Sequence, residues 1–126
     1  MMKRFSFWKP DPIPCAGTKI DTCILEPIGN PKDVVVKILT IPQTIEFRLL
    51  DEVKIFWDLR EGVWMSIKED DSSLAPGKIL SIKAESSVGN STFHRLYVQV
   101  FERFSAVVLD EHAGIFLTPQ EFRKRF

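Results

Sequence analysis

Apolar and polar residues alternate along most of this chain, most clearly between Ile45 and Arg60. Odd positions there read Ile, Phe, Leu, Asp, Val, Ile, Trp, Leu, and even positions read Glu, Arg, Leu, Glu, Lys, Phe, Asp, Arg. Seven of eight odd positions are apolar and six of eight even ones are charged, which is the period of a strand with two unlike faces. A helical stripe through Ile45, Leu49, Val53, Phe56 and Trp57 leaves Phe47, Ile55 and Leu59 facing water. Sixteen residues exceed an ordinary strand, so a break or hairpin is expected near Leu50-Asp51-Glu52.

Similar runs, punctuated by turn residues, predict strands at Thr18–Leu25, Val34–Ile41, Val63–Lys68, Lys78–Glu85, Phe93–Phe104, Ala106–Leu109 and Ile115–Leu117. The end of the chain differs. Thr118, Pro119 and Glu121 form a capping box with proline at the first helical position, predicting a short helix over Pro119–Phe126. No 10-to-15-residue helical crossover separates the strands, which argues against a parallel βαβ architecture. The expected fold is mainly β: a small antiparallel β-barrel or β-sandwich of about seven to nine strands with a short C-terminal helix.

The run Trp8-Lys9-Pro10-Asp11-Pro12-Ile13-Pro14 holds prolines at alternate positions and reads as a stiff, extended segment. It divides the chain into an extended Pro-rich N-terminal arm, residues 1–17, and a single β-rich domain, residues 18–126. The chain's 126 residues suffice for one domain with a core of its own. Its two cysteines, Cys15 and Cys23, are too sparse for a disulfide framework and suggest a reduced setting, intracellular and cytoplasmic by default. No stretch approaches the ~18 apolar residues of a membrane helix, so no membrane partner is expected.

Charge sharpens the picture through its placement. Seventeen basic and seventeen acidic residues sum to zero, which removes the simplest argument for a nucleic-acid or anionic-membrane partner. Residues 1–20 nevertheless carry a local +3 and residues 46–71 a local −4, and the C-terminus adds Arg123, Lys124 and Arg125. Complementary patches of this kind favour self-association. Should the ends converge, Lys3, Arg4, Arg123, Lys124 and Arg125 would make a basic contact surface.

Catalytic chemistry is thinly represented. His94 sits among packing residues, and His112 lies in the turn Asp110-Glu111-His112-Ala113-Gly114. There is no Gly-rich phosphate loop, nucleophile elbow or CxxC pair. A non-enzyme is expected, with no cofactor and no metal.

The most pointed constellation is the odd face of the expected strand Phe93–Phe104: Phe93, Arg95, Tyr97, Gln99, Phe101 and Arg103. Aromatic and guanidinium groups interleaved in this way suit a protein interface. They also suit a stacking platform for single-stranded nucleic acid. With Trp8 they form the expected partner-binding set, while Trp57 and Trp64 are read as structural. The stretch from Tyr97 through Phe122, about a fifth of the chain, resembles the closing strands and helix start of transcriptional coactivators that bind single-stranded DNA as dimers. That resemblance implies strands at Tyr97–Phe104. The Lys-rich strand of such proteins and a match to the first 90 residues are missing. Gly77–Leu109 likewise resembles an SH3- or Tudor-like barrel in outline, and neither likeness assigns a family. The expected function is a non-catalytic binding or assembly domain acting through protein–protein contacts or homo-oligomerisation, the alternative being single-stranded nucleic-acid binding.

Overall fold

The long alternating stretch folds as a hairpin, broken where its length required. A computed structural model describes residues 2–12, 17–58, 62–70 and 76–125. Its strands are β1 (Lys3–Pro10), β2 (Leu25–Glu26), β3 (Thr44–Arg48), β4 (Val53–Trp57), β5 (Val63–Ile67), β6 (Ser81–Ser86), β7 (Val107–Asp110) and β8 (Ile115–Leu117). Three α-helices accompany them: α1 (Pro31–Ile38), α2 (Asn90–Phe104) and α3 (Pro119–Arg125). The strands form one antiparallel sheet in the order β3-β4-β5-β6-β1-β7-β8, with β2 paired to β1 off that path. The sheet is open, since its end strands β3 and β8 do not pair with each other. A mainly β, antiparallel fold with eight strands and a C-terminal helix is as expected, but the described strands form one open sheet and not a closed barrel or two packed sheets.

Three expected strands are different structures. Val34–Ile41 was the first, read from its β-branched content, yet most of it lies in α1. Asn30 caps that helix, its Oδ1 accepting the Asp33 N–H at 2.9 Å while Pro31 sits in the first turn. Val34, Val35 and Ile38 then fall on one buried face, so capping and helical spacing outweigh a weak intrinsic preference. Phe93–Phe104 belongs to α2, whose buried residues Phe93, Leu96, Tyr97, Val100 and Phe104 recur at three- and four-residue steps. Thr18–Leu25 holds a single 3-10 turn, Ile20–Thr22, ahead of the two-residue β2. The strands that the coactivator resemblance implies at Tyr97–Phe104 are therefore absent.

The N-terminal residues are extended, as the prolines suggest, but Lys3–Pro10 is a strand of the sheet and not an arm beside it. β1 lies between β6 and β7, with Phe5 opposite Ala84 and Asp110, and Phe7 opposite Ile82 and Val108. Pairing to both neighbours stops at Trp8, and Pro10 lies opposite β2 alone. A proline without an N–H is tolerated at that strand end. Ile13, Pro14 and Cys15 lie outside the described residues, as do Leu59, Arg60 and Phe126.

One face of the sheet carries the main core. Phe5 and Phe7 of β1 meet Phe93 of α2 at ring-centroid distances of 4.5 and 6.0 Å, and Phe122 of α3 meets Phe5 at 5.5 Å. α3 starts as its sequence predicts: Thr118 Oγ1 accepts the Glu121 N–H at 3.3 Å. On the other face, Val107, Leu109 and Phe116 form a smaller cluster beneath Trp8, Ile20, Cys23 and Leu25. The 17–26 segment thus covers the β1-β7-β8 end of the back face. It also shields the β8 edge, where Phe116 N–H donates to Thr18 C=O and Gly17 N–H to Phe116 C=O.

Tyr97 ties the helix layer to the sheet. Its buried hydroxyl donates to Leu117 C=O and accepts the Val108 N–H at 3.0 Å, bridging β7 and β8. Burial pushes the phenol well above its ordinary value, against a smaller opposing effect of the Val108 N–H. A phenol held protonated in the folded state contributes stability in full below its unfolded value of 10.0 and loses that contribution as pH rises further. Stability should fall in that range, and Tyr97→Phe should lack this component of the loss. The chain has one tyrosine, so its tyrosinate absorbance should appear together with unfolding. A tyrosinate band rising near pH 10 with unchanged circular dichroism contradicts this account.

Candidate functional site at an open sheet edge

The expected aromatic-arginine stripe does not exist as a surface. On a helix, alternate residues point some 200° apart, and α2 distributes the six side chains around its circumference. Phe93 and Tyr97 are fully buried, Phe101 is half-buried against both clusters, and Arg95 is exposed. Arg103 donates to Thr40 Oγ1 at 2.7 Å and to Gln99 Oε1 at 2.7 Å, so this pair fastens α2 to the end of α1. Trp8 is half-buried in the smaller cluster, its Nε1 donating to the buried Ser6 Oγ at 2.7 Å.

The basic residues are not gathered either. Arg4 stands opposite Glu85 on the back face, whereas α3 packs on the front through Phe122. Lys3 Nζ donates to Asn90 Oδ1 at 2.8 Å. Arg123 and Lys124 are exposed on α3, and the Arg125 side chain lies outside the described residues. His94 packs along Phe122 with Nε2 3.0 Å from Pro119 C=O. His112 is exposed in its turn, where Asp110 Oδ1 accepts its N–H at 3.0 Å. Among the described residues no three His, Cys, Asp or Glu side chains are grouped to hold a metal, and no helix is long and apolar enough to cross a membrane.

The structure does gather exposed apolar side chains at the other end of the sheet. Arg48 pairs with Val53 across the tight turn at Leu50-Asp51, and paired residues share a face. Odd positions of β4 therefore share a face with even positions of β3. Ile55 and Trp57 point into the core, while Ile45, Phe47 and the flanking Leu49 point out to the back. The same register places Phe56 and Trp64 on the back beside Ile45. Trp64 lies 4.6 Å from Phe56 and 5.4 Å from Phe47 between ring centroids.

Ile45, Phe47 and Trp64 keep 38%, 45% and 37% of their surface in water, so this aromatic face is open to solvent. Trp57 is structural as expected; Trp64 is a surface residue. Among the described residues no element lies over this face, in contrast to the other end of the sheet. Lys54, Lys83, Glu85 and Arg4 separate the two regions. An apolar centre with a charged margin is the usual composition of a contact surface. The patch also adjoins β3, which among the described strands pairs on one side only.

No family model, curated protein or solved structure matches this chain.

Proposed function

We propose that this protein is a non-catalytic binding or assembly domain that makes protein–protein contacts through the β3 edge and the aromatic face behind it. The observation that supports the reading is the continuity of the two features. Phe47 and Trp64 offer exposed aromatic anchors directly beside a strand able to accept another strand. β3 contains neither of the residues, proline and lysine, that commonly blunt an exposed edge, although Glu46 and Arg48 place charges on its helix-side face. An intracellular setting suits the low cysteine count.

Trp64→Ala is expected to reduce capture of partner protein from an extract of the source cell at least ~30-fold, as for a central interface aromatic. Thermal stability should change little, since the ring is substantially exposed already. Equal capture by the parent and the variant would remove the aromatic face from the contact.

A further inference from the structure

The β3 edge carries a register of its own. Leu49 N–H donates to Glu52 C=O at 2.9 Å and Asp58 N–H donates to Gln43 C=O at 3.2 Å. Both bonds fit the pairing of Arg48 with Val53 and of Thr44 with Trp57. Hydrogen-bonded and non-hydrogen-bonded pairs alternate along an antiparallel ladder. Ile45 and Phe47 therefore turn their backbone groups toward β4, and Thr44, Glu46 and Arg48 turn theirs to the open edge. Glu46 and Arg48 share the helix-side face of β3 and form an ion pair with each other.

We infer that the occupant of this edge is a second copy of the same chain, with β3 pairing antiparallel to β3 about a two-fold axis through Phe47. The inference rests on the contact reading above and adds the partner and the register. In this register Glu46 faces Arg48 of the second copy, and the reciprocal pair forms across the axis. Both are hydrogen-bonded pairs with Cα atoms about 5.5 Å apart, within reach of a cross-strand ion pair. On the back, Phe47 meets its own symmetry mate at the closer, non-hydrogen-bonded spacing, and Ile45 faces Leu49. The aromatic faces of the two copies become continuous.

Of the other two-fold registers the backbone allows, those centred on Glu46 and on Arg48 set like charges against each other, and the one centred on Ile45 sets Glu46 against Thr44. A slip by one residue offers no matching hydrogen-bonding groups. Inward-pointing charges on an edge strand normally deter pairing; here the register through Phe47 is the one in which they complement each other. A net charge of zero adds no long-range repulsion between copies.

Charge exchange at the two positions tests this in the full chain by sedimentation equilibrium. The parent should dimerise. Glu46→Arg sets arginine against arginine twice, and Arg48→Glu sets glutamate against glutamate twice, so each single variant should dimerise at least ~tenfold more weakly. Mixing the two single variants restores both opposite-charge pairs and should yield a heterodimer. The double exchange Glu46→Arg/Arg48→Glu should dimerise like the parent. Circular dichroism of each variant checks that the fold is retained.

A parent that stays monomeric into the high-micromolar range overturns the inference, as does a parent dimer that both single variants match. A monomeric parent whose partner capture still depends on Trp64 overturns only self-pairing and leaves the contact reading standing. Capture that ignores Trp64, alongside a dimer governed by the charge exchange, does the reverse for the aromatic face.

Discussion

Replacing Phe93 with alanine should cost about 3–5 kcal/mol of folding stability, the range for removing a buried aromatic side chain. The ring is fully buried, with Phe5, Phe7 and Phe122 around it at centroid distances of 4.5, 6.0 and 5.6 Å. These neighbours come from a strand and a second helix, so little can move to fill the space left behind. Such a loss is a large share of the ~5–15 kcal/mol available to a domain. Arg95→Ala, two residues away on the exposed side of α2, should stay within about 0.5 kcal/mol of the parent. The contrast is the informative measurement. Urea denaturation showing equal, small effects at both positions contradicts the helix and returns the residues to one exposed stripe.

The two misread helices carried their signals in plain view. Around residue 30, Asn30-Pro31 preceding Asp33 has the cap and first-turn proline of a helix start, the same logic that places α3 correctly at Thr118. Its following residues, Val34-Val35-Val36, have side chains that favour strands, which masks the start signal. In α2 the apolar residues satisfy two periods at once. Phe93, Tyr97 and Phe101 are spaced by four, so they recur both on alternate strand positions and on successive helical turns. Leu96 and Val100 decide between the periods, because only a helix places them beside Phe93 and Tyr97. Burial of all four in the structure follows that second period.

The hairpin taught the opposite lesson. Its break was legible, and so were β5, β6 and β8 near their expected positions. The face of β3 was not read, although a two-residue turn determines it. Paired positions across Leu50-Asp51 sum to an odd number, so the odd-numbered apolar stripes of β3 and β4 must lie on opposite faces. One of them has to be exposed. Which one depends on the helix layer, and α1 and α2 cover the face carrying Ile55 and Trp57. That long-range choice is the part of the candidate site that local alternation does not contain. The apparent perfection of the alternation over sixteen residues was itself the sign of an outward-facing apolar strand.

Gly62→Ala should combine a backbone cost with disruption of the aromatic face, lowering stability by about 2–5 kcal/mol. Gly62 has φ of +88°, a region that costs an L-residue roughly 1–2 kcal/mol. A β-carbon there would fall 2.2 Å from Phe56 Cε2 and 2.3 Å from Phe56 Cζ, inside contact distance. Overpacking of that size adds about 1–3 kcal/mol unless the ring moves. If Phe56 swings away, the packing cost falls, but its 4.6 Å contact with Trp64 is broken. A double-mutant cycle with Phe56→Ala separates the two contributions. Truncating Phe56 should recover the packing part of the Gly62→Ala loss and leave the backbone part of about 1–2 kcal/mol. Gly62→Ala alone should also weaken partner contact, because the missing side chain at Gly62 leaves the space in which the Phe56 ring sits against Trp64. Stability and contact both unchanged in Gly62→Ala would show that this close approach does not organise the face.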